Sequence, residues 1–171
     1  MSVFGELVEL YTQAAVLQLQ RVPVTKGEVT VHNLQVTIAP LIAFNNQGSR
    51  KADFEQKVVM QLTESGIANL AIGLLGFKNA IAIEGSRHGE NAKVLYLNVN
   101  ENGTTNINIS CSLKGQGAST NSRKTQSITF KNAERYPLVR IAVSQLAKNN
   151  TDHEQSYADT LNLLKACIMR P

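Results

Sequence analysis

Residues 52–76 read ADFEQKVVMQLTESGIANLAIGLLG, and the spacing of the apolar residues changes within this stretch. Up to Leu62, apolar and polar residues largely alternate, which predicts a β-strand over about 52–62. After Thr63, apolar residues recur every three or four positions, as they do on one face of a helix, and Gly76 provides a stop. The chain therefore passes from a strand into a short helix here.

The sequence on either side repeats this order of strands followed by a helix. Alternating and β-branched runs before it predict strands over about 14–24 and 28–44. After it, Asn102-Gly103 is a typical hairpin turn, and a helix is predicted from Ala133 to Asn149. The strands of this second half cover about 80–83, 93–100, 105–113 and 124–131. Strands that come in runs exclude an alternating parallel β-α-β architecture.

Both ends of the chain are predicted to be helical. We expect an N-terminal helix over 1–13, a central domain over 14–149 and a C-terminal helix over 150–171. The C-terminal helix carries an apolar stripe at 4-3-4 spacing, which either packs on its own domain or forms a seam with another subunit. The stripe consists of Tyr157, Leu161, Leu164 and Ile168.

The charge of the chain is concentrated in its middle. The 171 residues carry a net charge of +4, and fifteen of the seventeen basic residues lie in 21–148 with eight acidic ones. The two ends are slightly acidic. A basic middle favours an anionic partner for the strands of the central domain.

The sequence gives little support for enzymatic chemistry. The two cysteines lie far apart without histidines at ligand spacing, and no nucleophile, zinc or phosphate-loop motif is present. We therefore expect neither a catalytic residue nor a metal or other cofactor. No apolar run approaches the roughly 20 residues of a membrane span. We expect a cytoplasmic protein of a bacterial or phage-infected cell, without a membrane partner.

Basic side chains recur along the predicted strands and at their turns. Such cations neutralise phosphates, while exposed rings stack on the unpaired bases of a flexible single strand. Phe54 and Tyr96 are the candidate rings, although each also suits a core position. The candidate phosphate ligands are Arg50, Lys51, Lys57, Lys78, Arg87, Lys93, Lys114, Arg123 and Lys124.

Several of these segments resemble a known superfamily. The runs 50–57 and 62–67 are similar to the third strand and first helix of the Whirly single-stranded-DNA-binding proteins. The runs 92–99 and 122–128 are similar to the related transcriptional positive cofactor four. Residues 11–16 lack both lysines of the lysine-rich Whirly signature, and Phe54 stands where that family has tryptophan.

The resemblance implies an α+β fold with two antiparallel four-stranded β-sheets, each followed by a helix, in a Whirly-like ββββα repeat. With the predicted N- and C-terminal helices added, this accounts for the whole chain. It also implies homo-oligomers in which sheet edges guide single-stranded nucleic acid. The function expected is sequence-tolerant binding of single-stranded DNA in replication, recombination or transcription, without catalysis. The alternatives are a single-stranded RNA-binding or annealing protein of the same fold, and a β-rich assembly protein without a nucleic-acid role.

Overall fold

The computed structural model describes residues 5–44, 48–85, 92–113, 122–149 and 155–169. These residues form nine strands and three α-helices, and one 3-10 turn, Asn132–Arg135, precedes the second helix. The strands are β1 (Leu7–Tyr11), β2 (Ala15–Lys26), β3 (Val29–Phe44), β4 (Ser49–Ala52), β5 (Val58–Leu62), β6 (Ala80–Glu84), β7 (Lys93–Val99), β8 (Thr104–Leu113) and β9 (Ser122–Lys131). The helices are α1 (Glu64–Leu74), α2 (Tyr136–Asn149) and α3 (Tyr157–Ile168).

The first sheet is built around the long strand β3. It has the order β1-β2-β3-β4, and β5 also pairs with β3; all these pairings are antiparallel. Leu41 pairs with Ala52 and Ile38 with Val58. Five residues, 53–57, therefore stand opposite only two residues of β3. The surplus residues cannot stay in the ladder, so they leave the sheet as a turn between β4 and β5.

The second sheet has the order β6-β7-β8-β9 and is antiparallel throughout. Its β7–β8 turn contains the predicted Asn102-Gly103 pair, and Gly103 has a φ of 79°. A positive φ is easily adopted by glycine, which explains the residue at this turn.

The two sheets and the helices share one hydrophobic core. Most strands bury side chains on one face, including Leu19 and Val36 in the first sheet and Leu95 and Ile107 in the second. Helix α1 packs against β6 and β7 as well as against α2. The helix thereby joins the two halves of the chain, because it follows the first sheet and covers the second.

The α+β fold predicted from the sequence is confirmed, with two corrections in the first half. The N-terminal helix expected over 1–13 is wrong for residues 7–11, which form β1 and pair with β2. Val8 faces the core from this strand, while Leu7 and Tyr11 are exposed. Burial therefore follows the two-residue period of a strand and not the period of a helix. The strand expected over 52–62 is broken by the turn at 53–57, and the first sheet consequently has five strands rather than four.

The helices agree more closely with expectation. Helix α1 is followed by Gly76, whose φ of 74° is typical of a glycine that ends a helix. The helix predicted over 133–149 is α-helical from Tyr136 onwards. In the predicted C-terminal segment 150–171, α3 begins at Tyr157 after Ser156, whose hydroxyl accepts a hydrogen bond from the backbone N–H of Asp159.

The close packing of α1 on β7 yields a stability prediction. A Cβ atom at Gly73 would lie 2.9 Å from Cδ2 of Leu97, which is fully buried. Gly73→Val should therefore lower the free energy of unfolding by about 2 kcal/mol, measured by urea denaturation, because overpacking a filled core forces neighbouring groups apart. Asn69→Val, at an exposed position of the same helix, should change it by less than about 0.5 kcal/mol. Equal stabilities of the two variants would contradict this packing.

Candidate nucleic-acid interface

The turn at 53–57 lies against strand β9 of the second sheet. Gln126 Nε2 donates a hydrogen bond to the backbone oxygen of Gln56 at 3.0 Å. Lys124 Nζ donates to the backbone oxygen of Glu55 at 3.4 Å. Two side chains of the second sheet thus hold the main chain of a turn that belongs to the first. We call this region, formed by residues 53–59 and the facing ends of β7–β9, the sheet junction.

A second lysine reaches the sheet junction from β7. Lys93 Nζ donates to the backbone oxygen of Val59 at 2.7 Å. Lys93, Cys111 and Lys124 are register partners across β7, β8 and β9. The two lysine backbones are therefore two strand spacings apart, about 10 Å, on the same face of the sheet. Two cations converge on the main chain of residues 55–59.

The turn itself presents an exposed ring and a third cation. Phe54 is 43% exposed, so the alternative that it is a core residue does not hold. Lys57 Nζ lies 5.9 Å from the centroid of the Phe54 ring, within cation–π range. The turn is shaped by Asp53, whose Oδ1 accepts from the N–H of Glu55 at 3.1 Å and whose backbone oxygen accepts from the N–H of Gln56 at 3.2 Å. These bonds fix the segment that carries the ring.

Strand β4 adds two basic residues directly before the turn. Arg50 and Lys51 are both exposed and pair in register with Ala43 and Ile42 of β3. Consecutive strand residues point to opposite faces, so the two cations lie on either side of the sheet. Six of the predicted site residues thus lie at or beside the sheet junction: Arg50, Lys51, Phe54, Lys57, Lys93 and Lys124.

Other predicted site residues lie elsewhere. Lys78 precedes Asn79, whose backbone oxygen accepts from the N–H of Val99 at the far end of β7. That end is about 20 Å from Lys93, given the rise of a β-strand, so Lys78 does not belong to the sheet junction. Arg87 and Lys114 fall outside the described residues.

The outer face of the second sheet holds the remaining two. Tyr96 alternates with the buried Leu95 and Leu97 and is 43% exposed. Like Phe54, it is therefore not a core residue. Arg123 shares this outer face because it alternates with Lys124 on β9. Tyr96 and Arg123 therefore lie on the opposite side of the sheet from Lys93 and Lys124.

The predicted stripe of α3 is used mostly inside the chain. Leu164 is buried, and Leu161 and Ile168 pack against the core, which matches the first of the two alternatives left open for it. Tyr157 remains 41% exposed. Partial burial raises the pKa of its phenol, with a smaller contribution from the neighbouring Tyr136.

Sequence reasoning missed the role of Gln126, because an isolated glutamine on a strand carries no sequence signal for a contact 70 positions away. No group of three metal-binding side chains comes together within the described ranges. Among the helices of the described residues, none combines the length and hydropathy that a membrane span requires.

Comparison with known proteins identifies a similar fold. The chain is similar to WHY1 from Arabidopsis thaliana, a Whirly protein of known crystal structure, with a TM-score of 0.58. The likeness covers 98% of this chain and 96% of that chain, at 19% sequence identity. No protein-family model matches the chain, and no curated protein matches it in sequence. At this identity the likeness shows the fold alone.

The hydrogen bond between Lys93 and Val59 can be tested by substitution. Lys93→Met should lower the free energy of unfolding by about 1–2 kcal/mol, because it leaves a partly buried carbonyl oxygen without this donor. It should also speed amide hydrogen exchange in residues 53–59. Lys57→Met is the matched control: that side chain is exposed, and its loss should cost less than about 0.5 kcal/mol. If both variants unfold at the same urea concentration, the hydrogen bond from Lys93 to Val59 does not stabilise the sheet junction.

Proposed function

We propose that this chain binds single-stranded nucleic acid, with single-stranded DNA as its main ligand, and that it does so without catalysis. The observation that carries the proposal is the turn at the sheet junction, which exposes the Phe54 ring with a cation beside it. The fold likeness to a Whirly protein supports it, because the resemblance of the sequence points to the same class of single-stranded-DNA-binding proteins.

Single strands suit this surface better than a duplex does. An exposed ring contributes binding energy by stacking on a base, and only an unpaired, unstacked base offers its face. Stacking depends little on base identity, so the binding is sequence-tolerant. The cations around the ring supply the attraction to phosphates, which makes the affinity fall as salt rises.

The lysines of the sheet junction can serve both the fold and the ligand. An ammonium group has three donors, and Lys93 and Lys124 each use one of them on a backbone oxygen. The remaining donors are available to a phosphate. The proposed contacts are Phe54 for a base and Arg50, Lys51, Lys57, Lys93 and Lys124 for the phosphates, with Tyr96 and Arg123 as a second group on the outer face.

The wider context follows from the same resemblance. We propose a homo-oligomer in which strands of adjacent subunits extend the path of the nucleic acid, acting in replication, recombination or transcription. The exposed Tyr157 and Tyr136 lie on the helical side, so contacts between subunits there would leave the sheet junction open.

Binding can be measured by the fluorescence anisotropy of labelled oligodeoxythymidine, duplex DNA and single-stranded RNA over a range of salt concentrations. We expect the tightest binding to the single-stranded DNA, with a negative slope of log affinity against log salt. Equal, weak binding to single strands and duplex would contradict the proposal. Tighter binding to RNA would favour the RNA-binding alternative, and no binding to any of the three would favour an assembly protein.

Two substitutions separate stacking from charge. Phe54→Ala should weaken binding by roughly 5- to 100-fold with little change in the salt slope, whereas Phe54→Trp should retain the affinity. Lys57→Met should reduce the salt slope by about 0.7, the value for one phosphate contact on a single strand. Lys148→Met removes an exposed charge on α2 and is the control. If Lys148→Met and Lys57→Met change the slope equally, the contact is not at the sheet junction.

A further inference from the structure

A cavity of about 850 Å³ lies between the helices and the first sheet. Its walls come from β3, the first turn of α1, the end of α2 and one side of α3. It reaches Thr63, just beyond the end of β5, whereas the sheet junction lies at the start of that strand. The two regions are therefore separated by the length of β5, about 17 Å. A cavity of this volume is within the range of small-molecule sites in proteins.

The floor of the cavity is apolar. Leu146 and Leu164 are buried there, and Ala68 of α1 extends the apolar wall. At the rim, the side chain of Leu163 is 56% exposed, and Cys167 is an exposed free thiol. An apolar ligand lying on this floor would also cover the exposed side chain of Leu163 at the rim. Removing that apolar surface from water would favour binding.

Among the described residues that line the polar end of the cavity, one is charged, and its charge is negative. Thr63, Glu64 and Ser65 line it at the start of α1, with Asn33 of β3 beside them. The part of the lining that the structure describes contains no lysine or arginine. The Glu64 carboxylate forms no ion pair with another described residue. Glu64 is thus the ionised side chain of the described lining, and it offers a counter-charge to an ammonium group while repelling phosphates and carboxylates.

We propose that this cavity binds a monocationic amphiphile, namely an amine whose ammonium group lies by Glu64 and whose apolar body lies on the leucine floor. The ligand differs in charge from the polyanion proposed for the sheet junction. The two sites therefore do not compete for ligands, and either can exist without the other.

The test uses dansylcadaverine, a fluorescent primary amine, and dansyl-6-aminohexanoic acid, which carries a carboxylate in its place. The amine should bind the full chain saturably with one-to-one stoichiometry, about fivefold more tightly than the acid, as expected for one partly exposed ion pair. Bound amine should also slow the reaction of Cys167 with a thiol reagent. Cys167→Ser identifies that reaction, because Cys111 is buried.

Glu64→Gln should weaken binding of the amine about fivefold and remove the preference over the acid. Glu84→Gln, at an exposed position of β6, is the matched control and should change nothing. Leu163→Asn, at the exposed rim, should weaken the binding of both probes, and circular dichroism would show that each variant is folded.

Three results would overturn the proposal: no saturable binding of the amine, equal affinity for the amine and the acid, or equal effects of Glu64→Gln and Glu84→Gln. These outcomes are independent of the anisotropy measurements with nucleic acid. Failure at the cavity is thereby distinguished from failure at the sheet junction.

Discussion

Strand β3 changes its neighbour between Ile38, which pairs with β5, and Leu41, which pairs with β4, and the candidate interface depends on this change. Pro40 lies at that point and has no N–H to donate to a neighbouring strand. Because the facing chain has three residues too many, it leaves the sheet at 53–57 and reaches β9. Phe54 is exposed because it lies in this turn, which the register of β4 and β5 with β3 leaves out of the sheet.

A turn expelled from a sheet has backbone oxygens that need donors, and here the second sheet provides them. The turn oxygens of Glu55 and Gln56 accept from Lys124 and Gln126 of β9, and Lys93 of β7 donates to the oxygen of Val59 in the adjoining strand β5. Long side chains with several donors suit this role, because each can satisfy a carbonyl and still face solvent. Two of the fifteen basic residues in the middle of the chain, Lys93 and Lys124, thus have a structural role, because they join the two sheets.

The sequence predicts the order of strands and helices well, because period two and period 3.6 differ clearly over long segments such as 28–44 and 67–74. The prediction of secondary structure fails where a segment is too short to distinguish the period of a strand from that of a helix. Leu7, Val8 and Tyr11 fit one face of a helix as well as an interrupted alternation, and only pairing with β2 decides between the two. The sequence shows that the alternation of apolar and polar residues is interrupted at Gln56. It does not show that residues 53–57 leave the sheet, because the length of this turn depends on the register of β4 and β5 with β3. Contacts between the sheets, such as that of Gln126, depend on tertiary packing and leave no local pattern.

The two candidate groups for nucleic acid lie on opposite faces of the second sheet, and this constrains any path that includes both. Phe54, Lys93 and Lys124 lie at the sheet junction, whereas Tyr96 is on the outer face. A straight strand bound to one chain cannot contact both faces. Arg123 and Lys124 are consecutive on β9 and point to opposite sides, so they are the place where phosphates can pass from one face to the other. The proposed function therefore requires one of two arrangements: a nucleic acid that bends at these two residues, or a path formed by the outer face of one subunit and the sheet junction of the next, as the proposed homo-oligomer would allow.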